Sequence, residues 1–210
     1  MKFLPSVRDG ACIKRTIFTS PPHVQGFTLI ELMITIMIFA IVTSYAVPSM
    51  TTFIQNNEIS AKNNELISLL SYARTEAVSQ STAVSICGST DATTCNSSNW
   101  ENGGLIFKGV ANAGLSPAAD DVLKIIEPIG GNATLRRVGG ADASFLRFDQ
   151  SGRLFAADAG AFELCDERGV NYAKGISINS IGQVKKAVDT DENGIVEIVS
   201  GDTLVEVTCL

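Results

Sequence analysis

The stretch FTLIELMITIMIFAIVTSYAV, residues 27–47, contains a single charged residue, Glu31. At about 1.5 Å per helical residue, a helix of this length reaches about 31 Å, which is the thickness of a bilayer core. The remainder of the chain is polar and rich in Gly, Ser, Thr, Asn and Asp. We therefore expect one membrane-crossing helix followed by a domain in water.

The distribution of basic residues predicts the orientation of this helix. Lys2, Arg8, Lys14 and Arg15 precede the apolar stretch, and the next basic residue is Lys62. Loops rich in Lys and Arg stay on the cytoplasmic side of the membrane. The N-terminus is thus predicted to be cytoplasmic and the C-terminal domain to lie across the membrane.

Three kinds of segment fit the apolar stretch. The first is a plain membrane anchor. The second is an ordinary secretory signal with a small-residue cleavage site at residues 44–46. The third is a signal that is cut before the apolar stretch, so that the stretch remains in the product.

Glu31 distinguishes these alternatives. A carboxylate in the middle of a membrane helix costs about 2.5–3.5 kcal/mol on insertion scales, and less near an end. An anchor or a disposable signal gains nothing from this cost. Cleavage after Gly26 would instead create a free amine at Phe27, four residues before Glu31. That amine, or the amine of a neighbouring subunit, can pair with the carboxylate in a low-dielectric setting.

The string GFTLIEL, residues 26–32, resembles the class III signal of type IV pilins and pseudopilins. The resemblance implies that prepilin peptidase cleaves between Gly26 and Phe27 and methylates the new N-terminus at Phe27. It also implies that Glu31 guides the docking of subunits into a fibre. The leader before the cleavage point is longer than the short basic leader of many relatives.

These features predict four segments. A leader peptide occupies residues 1–26 and a transmembrane assembly helix occupies residues 27–47. Residues 48–80 are predicted to continue the helix in amphipathic form, and residues 81–210 to form a β-rich periplasmic domain. Pro48 lies where the apolar run ends.

The helical continuation has an apolar stripe. Leu66, Leu70, Ala73 and Ala77 recur at the spacing of one helix face. We expect this face to pack on a sheet, with the two alanines allowing close approach.

The region after residue 81 alternates short β-type runs with turn residues. The predicted fold class is α+β, with a long N-terminal helix packed on antiparallel strands. The predicted strands are 82–87, 104–108, 122–127, 133–138, 144–148, 153–156, 161–165, 175–179, 183–188, 195–199 and 203–209.

Two segments of the β region resemble the GspH/FimT/FimU branch of the pilin-like proteins. They are WENGGLIF at residues 100–107, and FDQSGR at residues 148–153 followed by FELCD at residues 162–166. Trp100 and Phe107 are expected in the core with their rings facing the helix. The branch implies a minor pilin that enters or primes a type IV pilus together with other minor pilins, the major pilin and the assembly platform of the inner membrane. A type II secretion pseudopilin is the alternative.

Cysteine usage separates the two sides of the membrane. Of five cysteines, Cys12 precedes the apolar stretch, whereas Cys87, Cys95, Cys165 and Cys209 follow it. An even set on the exported side predicts two disulfides, for which three pairings are open. We favour Cys87–Cys95, which closes a short polar loop, and Cys165–Cys209, which ties down the C-terminus.

The residue inventory argues against catalysis and zinc binding. The single histidine, His23, precedes the predicted cleavage point, so the mature chain has no Ser–His or Cys–His pair. The chain also has no CxxC motif, which disfavours the alternative in which the cysteines bind zinc. We expect a protein that is not an enzyme and that needs no cofactor.

One acidic segment resembles a calcium-binding loop. Asp189, Asp191 and Asn193 occupy the first, third and fifth positions of an EF-hand pattern, and Glu197 occupies the ninth. The twelfth position, which requires a bidentate Glu, is Ser200. The alternative is a tight turn between two strands.

A DNA-binding role is the last alternative. Some FimT-like proteins, which are similar in fold, take up DNA through a basic Gly-Arg-x-Arg motif. The matching stretch GQVKK, residues 182–186, has Gln183 in place of the first Arg and retains Lys185 and Lys186. Residues on a strand alternate faces, so these two lysines are not expected to share a patch.

The leader contains four basic and one acidic residue, which leaves 12 basic and 21 acidic residues and a net charge of −9. This charge argues against general nucleic-acid binding.

Overall fold

The computed structural model describes residues 26–155, 157–200 and 203–209. The chain divides into two units, one up to Val47 and one from Pro48 onward. The basic leader residues, Cys12 and His23 lie outside the described residues.

The first element is the helix α1, Leu29–Ser79, which contains Pro48. In the first unit its apolar side chains are exposed, and this part of the helix is long and apolar enough to cross a membrane. In the second unit one face of α1 is buried. The predicted stripe Leu66, Leu70, Ala73 and Ala77 is confirmed as part of that face, together with Ile59, Asn63 and Leu69.

Ten strands follow the helix in the described part of the chain. The first sheet contains β1 (Val84–Gly88), β2 (Gly104–Lys108), β3 (Val122–Ile126) and β5 (Phe145–Phe148), in the order β3-β2-β1-β5. The second contains β4 (Thr134–Val138), β6 (Gly160–Cys165), β7 (Lys174–Ile178) and β8 (Val184–Lys186), in the order β4-β6-β7-β8. β9 (Glu197–Ser200) and β10 (Thr203–Glu206) form a separate hairpin.

All strand pairings are antiparallel among the described residues. The buried face of α1 shares one apolar core with both four-stranded sheets. The predicted α+β class, with a long helix on antiparallel sheet, is therefore confirmed.

Two predicted strands differ from the structure by more than two residues. Within the predicted strand 153–156, residues 153–155 form no strand, since Leu154 makes an isolated bridge to Phe148, and residue 156 lies outside the described residues. The segment follows a tight turn in which the Asp149 carboxylate accepts hydrogen bonds from the backbone of Ser151 and Arg153. After the turn the Leu154 N–H donates to Ser180 and the Phe155 N–H to Arg147, so the segment bonds to two different neighbours and extends no ladder. The last strand ends at Glu206 rather than at residue 209.

The two aromatic residues of the 100–107 segment face different cores. Trp100 packs in the core that contains α1, with its ring 5.0 Å from that of Phe162 in a T-shaped contact, and its Nε1 donates to the carbonyl of Ala143. Phe107 lies on the opposite face of the first sheet, beside Cys87 and Leu105. The expectation that both rings face the helix was thus wrong for Phe107; Ile106 takes the helix side instead.

Candidate assembly site and surfaces of the globular unit

The predicted processing site lies at the beginning of the described chain. A Cβ atom added to Gly26 would meet nothing within 4 Å. Packing in the described chain therefore gives no reason for a glycine at this position. The adjoining Phe27 is 81% exposed.

Thr28 caps the first turn of α1. Its hydroxyl oxygen accepts a hydrogen bond from the backbone N–H of Glu31 at 3.2 Å, and its carbonyl accepts from Leu32 at 3.1 Å. Thr28 and Glu31 have the spacing of a capping box, which the sequence interpretation missed although the T-x-x-E pattern signals it. The Glu31 carboxylate lies in the first helical turn, where the helix dipole favours negative charge.

Three hydroxyl side chains within the apolar part of α1 are satisfied by hydrogen bonds to the helix backbone. The hydroxyls of Thr35, Thr43 and Ser44 donate to the carbonyls of Leu32, Phe39 and Ile41. Such bonds remove the cost of placing these groups in hydrocarbon. Glu31 differs from them because its carboxylate carries a charge.

The four cysteines after the apolar stretch form two disulfides. Cys87 is bonded to Cys95, with Cα atoms 5.5 Å apart, and Cys165 to Cys209, with Cα atoms 5.7 Å apart. These are the pairings that the spacing favours. Because disulfide sulfurs are not thiolate ligands, this arrangement leaves none of the four for zinc.

A buried carboxylate holds the C-terminal segment next to the second disulfide. Glu163, on β6, is buried and accepts hydrogen bonds from the backbone N–H groups of Thr208 and Cys209 and from the Thr208 hydroxyl. Burial raises the pKa of Glu163 above its usual value, and these hydrogen bonds only partly oppose that effect.

The acidic loop brings part of the predicted calcium set together. Carboxylate oxygens of Asp189, Asp191 and Glu197 lie within 4.8 Å of one another. The Asn193 amide instead donates to Asp191 and Glu206. The remaining contacts are typical of a turn: Asp189 accepts from the backbone of Gly194 and Glu197 from that of Thr190.

Lys185 and Lys186 lie on opposite faces of β8. Lys185 pairs with Ser177 on β7, and its neighbour Lys186 pairs with Ile176 and donates to the side chain of Asn64 on α1 at 2.8 Å. The strand therefore does not place both ammonium groups in one patch.

Two family models match the chain. Residues 22–47 match the prokaryotic N-terminal methylation motif, and residues 62–182 match the type II transport protein GspH. The second match covers more than half of the chain. The fold and the N-terminal motif define a pilin-like protein, and the chain belongs to the GspH family.

Two solved structures are similar to this chain, both of the type IV minor pilin FimU of Pseudomonas aeruginosa. One has a TM-score of 0.50 and 27% sequence identity, covering 65% of this chain and 92% of FimU. The other crystal form has a TM-score of 0.48 and 26% identity, covering 62% and 93%. The comparison with curated proteins returned no match. The family and the first FimU structure support a minor pilin or pseudopilin role, which involves interaction with other pilins or pseudopilins.

Proposed function

We propose that the mature chain is a minor pilin that is incorporated into a type IV pilus or primes its assembly. Prepilin peptidase removes residues 1–26 and methylates Phe27. The helix beginning at Leu29 then holds the subunit in the inner membrane, with its C-terminal domain in the periplasm, until the assembly platform transfers it to the fibre.

The observation that carries this proposal is the position of Glu31. It is the charged group in the first turn of an exposed apolar helix, five residues after a glycine that packing does not require. An unpaired carboxylate at this depth costs free energy in a membrane, and an amine at Phe27 or on a neighbouring subunit offsets that cost. This one ion pair thereby sets the orientation and the axial register in which the subunit docks in the fibre.

A substitution at Glu31 tests the proposal. We expect Glu31→Ala and Glu31→Gln to reach the membrane in normal amount and to be reduced at least tenfold in sheared fibres. Thr35→Ala is the matched control: it lies one turn further along and loses only an internal hydroxyl bond, so it should assemble normally. Immunoblots of membrane and sheared-fibre fractions measure both quantities. Normal assembly of Glu31→Ala would contradict the proposal and show that the helix serves only as a membrane anchor.

A pilus subunit is favoured over a type II secretion pseudopilin by the similarity to FimU, the paired cysteines and the residues beyond the GspH match. We expect the genes beside this one to encode minor pilins, rather than a secretion operon or competence proteins. We propose no catalytic role, because the disulfides occupy all four exported cysteines and the single histidine belongs to the leader.

A further inference from the structure

The outward face of the C-terminal hairpin carries aliphatic side chains that stay more than a third exposed in the described part of the chain. In the antiparallel register, Val199 on β9 lies opposite Leu204 on β10, and Val188 lies opposite Glu197. Directly paired residues share one face of a sheet, so Val188, Val199 and Leu204 lie on the same side. Their exposed fractions are 61%, 41% and 62%. We name these three residues the hairpin patch.

The opposite face of the hairpin is fixed to the globular unit. Ile198 is fully buried beside Ala161 and Cys165, and Val207 is buried in the same cluster. The disulfide to Cys209 and the hydrogen bonds to Glu163 hold the segment that follows β10. The hairpin patch is therefore presented by a rigid element, which lowers the entropy cost of binding.

Acidic residues predominate around the hairpin patch, and the basic residue beside it is Lys185 on β8, which lines the same cavity as Val199. The chain from residue 187 to its end contains no Lys or Arg, and Glu206 is exposed on the same face as Leu204. The acidic residues of this segment are Asp189, Asp191, Glu192, Glu197, Asp202 and Glu206. Charge complementarity therefore favours a partner that places a basic group beside Glu206.

This hairpin lies beyond the residues that the GspH model matches, which end at residue 182. Its contacts therefore do not follow from the common part of the family. A second copy of the chain is a poor occupant, because the mature chain carries a net charge of −9.

We propose that the hairpin patch docks the globular domain of a different, basic pilin-like subunit of the same fibre. The partner presents an apolar centre that covers Val199 and Leu204, with Lys or Arg beside Glu206. This inference relies on the proposed function, since it requires that the chain enters a fibre.

Site-specific photocrosslinking of the full-length chain tests the proposal. A photoreactive residue replaces Leu204 in one variant and Ile125 in the control, an exposed aliphatic residue on β3 of the first sheet. Each variant is expressed in the native bacterium, and cross-linked peptides are identified by mass spectrometry. We expect position 204, and not 125, to yield an adduct with another pilin-like subunit at a peptide that contains Lys or Arg.

Charge variants in the same background separate specific docking from nonspecific contact. We expect Glu206→Lys to reduce the adduct at least fivefold, and Glu58→Lys, an exposed position on α1, to leave it unchanged. Migration on non-reducing gels checks that each variant keeps its disulfides. Should a destabilised Glu206→Lys lose them, Glu206→Gln replaces it, with an expected loss of at least twofold.

Three outcomes would overturn the inference: an adduct with a second copy, an adduct with a protein that is not pilin-like, or no adduct at 204 from a chain that is present in sheared fibres. The last leaves the proposed function intact. Absence of the unsubstituted chain from fibres would instead contradict the proposed function, and the inference with it.

Discussion

The pKa of Glu163 links one buried side chain to the pH dependence of stability. Because burial raises its pKa in the folded state, the folded chain binds the proton more tightly than the unfolded chain. The stabilising effect is complete below the unfolded pKa of about 4.3 and is lost as pH rises through the folded value. Each unit by which the pKa is raised corresponds to about 1.4 kcal/mol.

We therefore expect Glu163→Gln to flatten this pH dependence. The free energy of unfolding of the unsubstituted globular unit should fall relative to that of the variant as the pH rises from the unfolded pKa through the folded pKa of Glu163. Urea denaturation at several pH values measures the difference. The exposed Glu58→Gln is the control and should follow the unsubstituted protein. Parallel pH profiles of Glu163→Gln and the unsubstituted protein would contradict the prediction.

Calcium is expected to leave the acidic loop unchanged. The Asn193 amide is engaged by Asp191 and Glu206, the Asp189 carboxylate already accepts the Gly194 N–H, and the twelfth loop position has no carboxylate. Thermal melts of the globular unit with and without millimolar calcium should give the same Tm. A rise in Tm that Asp191→Asn abolishes would show that the carboxylates bind the ion.

At the scale of elements, removing each of the two disulfides is expected to lower the free energy of unfolding by a different amount. Cys165–Cys209 joins residues 44 positions apart, and Cys87–Cys95 joins residues 8 apart. In the chain-entropy description, closing these loops stabilises the fold by about 4 and about 2.5 kcal/mol. We expect Cys165→Ser with Cys209→Ser to be the more destabilising pair, as measured by urea denaturation against Cys87→Ser with Cys95→Ser. An equal or reversed order would contradict this account.

The elements show which features of the fold are local in sequence. Helix α1 and most strands were predictable because apolar periodicity and turn residues lie within each segment. The side of the sheet on which each β2 side chain lies was not predictable. Leu105, Ile106 and Phe107 are all buried, so no polar residue shows which side of the strand faces outward. The contact between Glu163 and the C-terminal segment joins distant residues, so no local pattern reveals it.

The candidate site likewise has features that are local in sequence and features that depend on distant residues. GFTLIEL was recognisable because processing and capping depend on adjacent residues. The hairpin patch was not recognisable, because the adjacent Leu204 and Val205 are both apolar and face opposite sides of Thr203–Glu206, so the run does not show which face the globular unit covers. Only the register with β9 and the burial of Ile198 identify its outward side.

At the scale of the whole molecule, charge predicts that the mature chain does not bind DNA. Neutralising phosphates requires a cluster of Lys and Arg, whereas this chain carries a net charge of −9 and places Lys185 and Lys186 on opposite faces of β8. We expect no retardation of duplex DNA in a gel shift at about 50 mM salt, where electrostatic binding is strong. A variant that combines Gln183→Arg with Asp189→Asn and Asp191→Asn is the matched comparison, because it adds a cation beside Lys185 and removes two neighbouring anions. Retardation by the unsubstituted chain that weakens with salt and disappears in Lys185→Ala would contradict the prediction and give β8 a role in DNA uptake.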